Sequence, residues 1–152
     1  MRLLFLILLA VAFSAHAQAP AQPSCTAGPY KLKLPKSYKA LRGIGTLRRE
    51  RVQKTDNGME ERELRFNGLE LVVLAQAGKS DYAVQKAIVS TRNWRIAGPL
   101  RVGTAARVAL KGLKPGALPS DGELEFSGES DSIRVSLARG RVLDFEYTCS
   151  GS

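Results

Sequence analysis

The sequence predicts an α+β fold: an antiparallel sheet with one or two short helices packed on one face, and one terminal disulfide. Apolar and polar residues alternate along the last third of the chain, which is typical of strands with one buried face and one solvated face. Asn67-Gly68 separates two apolar runs and is a strong signal for a tight hairpin turn. Two cysteines, Cys25 and Cys149, allow one pairing. The 152 residues, 44% of them hydrophobic, fit one globular domain.

The first 17 residues have the pattern of a secretory signal peptide. Arg2 is followed by an apolar run over residues 3–13 and by the triplet Ala15-His16-Ala17, as at a cleavage site. The run is too short to span a bilayer, which needs about 20 residues, so we expect no transmembrane segment. We expect a periplasmic protein with a linker over residues 18–29 and a single α+β binding domain over residues 30–152.

Export determines how the two cysteines are interpreted. In an oxidising compartment they favour a Cys25–Cys149 disulfide. Such a bridge closes a loop of about 120 residues and, in the chain-entropy model, stabilises the fold by roughly 4–5 kcal/mol. The alternative is a reactive thiol or metal pair. It is disfavoured because the chain has no CxxC spacing and its one histidine, His16, lies in the predicted signal peptide.

The N-terminal half predicts one short helix among strands. Alternation over residues 30–34 predicts a first strand, which Pro35 ends. Ser37 is a candidate N-cap for a helix over residues 38–42, which Gly43 and Gly45 end. Further strands are predicted over 46–54, 59–66, 69–77 and 82–91. Residues 69–74 are apolar on nearly both faces, so we expect a central strand there with 82–91 as its neighbour.

The C-terminal half repeats this plan. Thr104 is a candidate N-cap for a helix over residues 105–113. Strands are predicted over 123–127, 132–138 and 141–148, with Arg139-Gly140 as the tight turn between the last two. Residues 62–75 also resemble residues 122–138 in pattern. This similarity leaves open whether residues 30–91 and 92–149 are a true tandem duplication.

The stretch from Gly98 to Val108, a turn and a cap that open a short helix before three strands, resembles bacterial envelope proteins of the BamE-like and beta-lactamase-inhibitor-like class. The resemblance covers residues 98–148, and residues 36–91 through the internal similarity. It implies one or two copies of a helix plus a meander, with the helices on one side of the sheet. Members of this class bind other proteins, as assembly partners or inhibitors, and have no catalytic sites. Because Cys25 lies well past a lipidation position, the resemblance implies a binding role rather than outer-membrane assembly.

Few side chains in this sequence could support catalysis. Without a histidine after the predicted signal peptide, a Ser-His-Asp triad, a Cys-His pair and a histidine metal site are excluded. The glycines match neither a dinucleotide-binding nor a P-loop pattern. Two groups of carboxylates remain, but they alternate with apolar residues as on a solvated strand face. They are Glu60, Glu61 and Glu63, and Glu123, Glu125 and Glu129. We therefore expect no enzymatic activity, no metal and no cofactor.

The charge distribution favours a binding role instead. The chain has 23 Lys+Arg against 14 Asp+Glu, a formal charge of +9. Basic blocks over 31–54 and 86–115 alternate with acidic blocks over 55–85 and 116–152. Such a surface can attract an anionic partner, although mixed charge also serves solubility alone.

The candidate contact residues lie in the two basic blocks, because arginine and tryptophan are typical anchors of protein interfaces. The first set is Arg92, Trp94, Arg95, Arg101 and Arg107, and the second set is Arg48, Arg49 and Arg51. Two alternatives stay open. The alternative for Trp94 is that it is a core residue and not a contact residue. The alternative for the second set is that Glu60, Glu61 and Glu63 neutralise it across a hairpin.

The predicted function is that of an exported, non-enzymatic binding protein that acts by protein–protein contact, as an inhibitor or an immunity-type protein. Its partner is expected to be an envelope protein with an acidic surface. The alternative is a binder of an anionic envelope polymer, lipopolysaccharide or peptidoglycan, through the basic blocks. No nucleic-acid partner is expected, because the compartment is wrong and stacking aromatic residues are few.

Overall fold

The computed structural model describes residues 25–27, 30–128 and 130–149, and strands dominate this part of the chain. The helices are α1 (Tyr38–Arg42) and α2 (Ala106–Ala109), and a 3₁₀ turn at Lys111–Leu113 follows α2. The strands are β1 (Thr26–Ala27), β2 (Tyr30–Lys31), β3 (Arg49–Lys54), β4 (Met59–Phe66), β5 (Leu69–Gln76), β6 (Tyr82–Val89), β7 (Gly122–Ser127), β8 (Asp131–Ala138) and β9 (Arg141–Cys149).

Strands β3 to β9 form one seven-stranded antiparallel sheet in the order β3-β4-β5-β6-β9-β8-β7. Two meanders, β3 to β6 and β7 to β9, meet where β6 pairs with β9. The interior position predicted for residues 69–74 is confirmed, because β5 is third of the seven strands and β6 is its neighbour. Descent of the two meanders from a duplication stays a prediction.

The predicted α+β class is wrong, because the fold is mainly β. Helices α1 and α2 contain five and four residues, too few to form a helical layer over a seven-stranded sheet. The ends of α1 are as predicted, since the Ser37 side chain accepts the Ala40 N–H and the helix stops at Gly43. Helices this short have little stability of their own, so α1 depends on packing Tyr38 and Leu41 against the sheet.

The second helix is shorter than predicted mainly at its C-terminal end, where Lys111–Leu113 form a 3₁₀ turn; at its start, Ala105 extends the sheet instead. Thr104 does not cap it: the Thr104 carbonyl accepts the Val142 N–H at 3.0 Å, and Ala105 forms a β-bridge with Arg141. The helix therefore begins only at Ala106, with Ala105 as its uncapped N-terminal residue. The predicted span 105–113 becomes α2 plus the 3₁₀ turn, which ends at Lys114 in the left-handed conformation.

One face of the sheet is buried and carries the core. Leu71 and Val73 on β5, and Phe145 on β9, are completely buried on this face. Helices α1 and α2 and the irregular segment 90–104 pack on it, through core residues that include Leu41, Leu100 and Leu110. On the opposite face the alternate residues are half-buried or exposed. The sheet thus has the one buried and one open face that the alternation predicts.

The N-terminal segment packs over the buried face rather than joining the main sheet. The strand predicted over 30–34 is only Tyr30–Lys31, paired with Thr26–Ala27. Beyond it, the Lys33 N–H donates to the Ile96 carbonyl at 2.7 Å, so residues 32–34 pair with a loop instead of a strand. Residues 18–24 and 28–29 of the predicted linker, and the predicted signal peptide over 1–17, lie outside the described residues.

The predicted Cys25–Cys149 disulfide is confirmed, with the two Cα atoms 5.4 Å apart. It joins the N-terminal segment to the last residue of β9. Beside it, the Tyr147 hydroxyl donates to the Tyr30 carbonyl at 2.5 Å, and the Tyr30 hydroxyl donates to the Ala109 carbonyl at 2.6 Å. The segment, β9 and α2 are therefore held together by one covalent bond and two buried hydrogen bonds. A disulfide of this kind is typical of exported proteins.

A search of the described residues finds no helix with the length and hydropathy that crossing a bilayer requires.

Candidate functional site: an arginine-lined end of the sheet

The strand order brings the predicted contact residues, except Arg51, to the same end of the sheet. Because the sheet is antiparallel, the starts of β3, β5, β9 and β7 lie at this end together with the ends of β4, β6 and β8. Seven strands spaced by about 4.8 Å make this end about 29 Å wide. We call it the arginine end, and its arginines are Arg48, Arg49, Arg92, Arg95, Arg101, Arg107, Arg139 and Arg141.

Trp94 links the first set to the second. Its ring packs edge-on against Phe66, with the ring centroids 5.7 Å apart, and its Nε1–H donates to the Asn67 carbonyl at 2.8 Å. A Cβ added to Gly45 would lie 2.9 Å from the Trp94 ring, so the loop before β3 passes directly over the indole. Trp94 is half-buried and packs on the edge of the core. It therefore positions its neighbours rather than projecting into solvent.

The arginines around Trp94 are exposed. Arg92 and Arg95 flank it on the segment after β6, and Arg48 lies three residues after Gly45, with its N–H donating to the Arg65 carbonyl at 2.8 Å. Arg49, at the start of β3, lies opposite Arg65 in register. Within the described ranges, none of Arg48, Arg49, Arg92 or Arg95 forms an ion pair. Their positive charge is left uncompensated.

Arg107 lies at the far side of the same end, beside two arginines that sequence reasoning missed. Arg107, Arg139 and Arg141 line one open groove of about 420 Å³ between α2 and the β8–β9 turn. The missed pair stands in the sequence as Arg139-Gly140-Arg141 across the predicted turn. That pattern could have been noticed, but nothing in it shows that the turn faces Arg107.

Arg101 is placed at this end by the turn that precedes α2. The Gly103 N–H donates to the Val142 carbonyl at 2.7 Å, which fixes the turn against the start of β9. The Arg101 side chain is half-buried, and its Nε is buried with no hydrogen-bond partner among the described residues. Arg101 is thus the least accessible arginine of the predicted set.

Arg51 does not belong to the arginine end. It lies two residues further along β3, exposed and opposite Glu63. The prediction that Glu60, Glu61 and Glu63 neutralise the second set is wrong. No ion pair of the described residues joins these carboxylates to Arg48, Arg49 or Arg51. Arg62 pairs with Glu60, and Arg65 pairs with Glu63. Same-strand arginines occupy these carboxylates, so the second set stays unpaired.

A separate charged network fixes α1 to the sheet. The Tyr38 hydroxyl donates to Glu50 at 2.5 Å, Arg42 pairs with Glu50 at 2.9 Å, and Arg62 lies 4.4 Å from the centre of the Tyr38 ring. Burial, and then the hydrogen bond to Glu50, raise the pKa of Tyr38. Because these groups are partnered within the fold, the network is structural.

The opposite end of the sheet carries both signs of charge. Its turns, after β3 and after β5, hold Asp56 and Asp81, and Lys54 and Lys79 lie beside them. All four side chains are exposed. The arginine end also holds carboxylates, Glu70 at the start of β5 and Asp121 before β7, but its eight arginines outnumber them and make it the more basic end.

The arrangement offers little reactive chemistry. Glu60 and Glu63 are paired with arginines, and Glu123 and Glu125 are exposed on the edge strand β7; Glu129 lies outside the described residues. The potential metal ligands that come together in the described part are Cys25, Asp131 and Cys149. The two sulfurs are bonded to each other, so they are not the thiolates that a metal requires.

No protein-family model, no curated protein and no solved structure matches this chain.

Proposed function

We propose that this chain is an exported, non-enzymatic binding protein of the periplasm that docks onto an acidic envelope protein through its arginine end. On this proposal it acts as an inhibitor or an immunity-type protein, in line with the BamE-like and beta-lactamase-inhibitor-like resemblance of residues 98–148. The observation that carries the proposal is the convergence of eight arginines, from separate parts of the chain, on one end of the sheet.

The type of cation supports protein contact. The eight cations that define this end are arginines, whereas Lys54 and Lys79 lie at the opposite end. Arginine presents a planar fork of donors that matches carboxylate geometry, and it is enriched in protein interfaces, from which lysine is depleted.

The frame behind the arginines also supports specific docking. Trp94, Phe66 and the disulfide-linked core hold the loops of this end in place. A partner that meets a preorganised surface loses less conformational entropy on binding. The basic end would also steer an acidic partner and raise the association rate.

Charge reversal tests the proposal. The variant carries Arg48→Glu, Arg92→Glu and Arg107→Glu, and the matched control carries Lys36→Glu, Lys54→Glu and Lys79→Glu, all at exposed positions. Cross-linked capture from envelope extract should recover the same saturable protein with wild type and the lysine control, but not with the arginine variant. Equal recovery by all three proteins, or no saturable protein with wild type, would overturn the proposal.

The second candidate, binding to lipopolysaccharide or peptidoglycan, is supported by the 29 Å spread of the arginines, about the width of the sheet. The two functions differ in their response to salt. Polymer affinity falls steeply with ionic strength, whereas a packed protein interface loses mainly association rate. Retention on immobilised lipopolysaccharide or peptidoglycan at rising salt, compared between wild type and the arginine variant, separates the two.

A further inference from the structure

An open groove lies at the arginine end between α2 and the β8–β9 turn. Arg107, Arg139 and Arg141 line it together with Ala105, Leu118 and Pro119. Its volume of about 420 Å³ lies within the range of small-ligand pockets. It therefore combines three cations with apolar walls.

The groove carries the positive charges of three arginines against the one negative charge of Asp121, so its net charge is positive. In the part of the chain that the structure describes, none of Arg107, Arg139 and Arg141 forms an ion pair. The Asp121 carboxylate, which contacts the backbone of Arg139, accepts the Arg139 N–H at 2.9 Å and the Ser120 hydroxyl at 2.7 Å. These two bonds hold the pKa of Asp121 below its usual range. The guanidinium groups are left available for an anion from outside.

The backbone around the groove is fixed. The Ala106 N–H donates to the Gly140 carbonyl at 2.9 Å, and the Gly140 N–H donates to the Ser120 carbonyl at 2.7 Å. Arg141 is oriented by a hydrogen bond from its Nη1 to the Gly103 carbonyl at 2.9 Å. These hydrogen bonds between separate segments thus hold the backbone that carries the arginines in a preorganised conformation.

Arg139 occupies a backbone conformation that does not favour arginine. Its φ is +52° and that of Gly140 is +68°, as in the two-residue hairpin turn in which Asn-Gly is the preferred sequence. An arginine here costs local stability that asparagine would not. Strained positions of this kind cluster at functional sites.

We propose that this groove binds an acidic peptide segment of the protein partner, with a carboxylate held by Arg107 and Arg139 and an adjacent apolar side chain against Leu118 and Pro119. The proposal rests on the proposed function and names the chemistry of the segment that enters. A peptide fits better than a free phosphate group, because phosphate has no apolar part that could contact Leu118 and Pro119.

The experiment is an NMR titration of the full-length protein with the blocked peptide Ala-Glu-Leu-Glu-Ala. The comparison titrants are the same peptide with Gln in place of Glu, and inorganic phosphate. The amide signals of Ala106 and Gly140 report on the groove, since both N–H groups donate the hydrogen bonds that fix its backbone. The variant is Arg107→Gln with Arg139→Asn, because asparagine tolerates the left-handed backbone. The matched control is Arg134→Gln, exposed on the open face of β8.

The expected result is saturable movement of the Ala106 and Gly140 signals with the acidic peptide, and weaker binding of the Gln peptide and of phosphate. The double variant should bind the acidic peptide at least about tenfold more weakly than wild type. Arg134→Gln should bind it as tightly as wild type does. Equal binding by the double variant, or phosphate binding as tightly as the peptide, would overturn the proposal. If the peptide does not bind the groove but partner capture still depends on the arginine end, only the assignment of the groove is wrong. If the peptide binds the groove but capture does not depend on the arginine end, only the proposed function is wrong.

Discussion

Removal of the Cys25–Cys149 disulfide is the perturbation whose effect on stability follows most directly from the fold. The two residues are separated by 124 positions, so the bridge restricts almost the whole described chain in the unfolded state. In the chain-entropy model, a loop of this size contributes about 5 kcal/mol to the free energy of unfolding. Since whole domains are stable by about 5–15 kcal/mol, loss of the bridge should remove a third or more of the total.

The assay is urea unfolding of wild type, of wild type under reductant, and of the variant with Cys25→Ser and Cys149→Ser. With an m value of about 2 kcal/mol/M, the unfolding midpoint should fall by about 2.5 M. Reduced wild type and the variant should agree, because both remove the same constraint. A midpoint that moves by less than about 0.5 M in both would refute this reasoning, and would mean that the unfolded chain is restricted almost as much without the bridge.

Three further predictions concern buried hydroxyls and backbone conformation. Tyr147→Phe should lower the free energy of unfolding by about 1–3 kcal/mol, because the buried Tyr30 carbonyl loses its donor; an unchanged chemical-denaturation midpoint would contradict this. Burial raises the pKa of Tyr147 well above its usual range, so the folded state keeps the phenol neutral where the unfolded state ionises. The contribution of Tyr147 to the free energy of unfolding should then be fully present below about pH 10 and be lost progressively above it. An equally steep loss of stability at alkaline pH in Tyr147→Phe would count against this cause. Gly68→Ala should destabilise more than Gly58→Ala: both have positive φ, of +75° and +77°, but the added Cβ meets the Thr91 side chain only at Gly68. Equal changes in thermal midpoint would show that the contact with Thr91 costs nothing.

The strands could be predicted from the sequence because alternation is a local property. The predicted strand over 59–66 matches β4, and the other six strands of the main sheet differ from the predictions by three residues or fewer at either end. The start of the second helix could not be predicted correctly, because Thr104 and Ala105 are taken up by contacts with Val142 and Arg141. Those partners lie almost forty residues away, and no local pattern contains them.

The candidate site illustrates the same limit. Arginine and tryptophan content identified Arg48, Arg92 and Arg107 as contact candidates, but the pairing of β6 with β9 is what places their loops at one end. The same pairing brings the β8–β9 turn to that end and adds Arg139 and Arg141 to the site. Composition could suggest a basic surface, whereas its location required the strand order.

The most direct test of the central claim, that the chain acts by docking its arginine end on an acidic protein, is site-specific photo-crosslinking in the cells that make it. A photoreactive residue replaces Arg95 at the arginine end or, as the control, Arg134 on the open face of β8, both exposed. The account predicts one discrete cross-linked protein from position 95 and none from position 134. Cross-links of equal yield from both positions, or none from position 95, would contradict it.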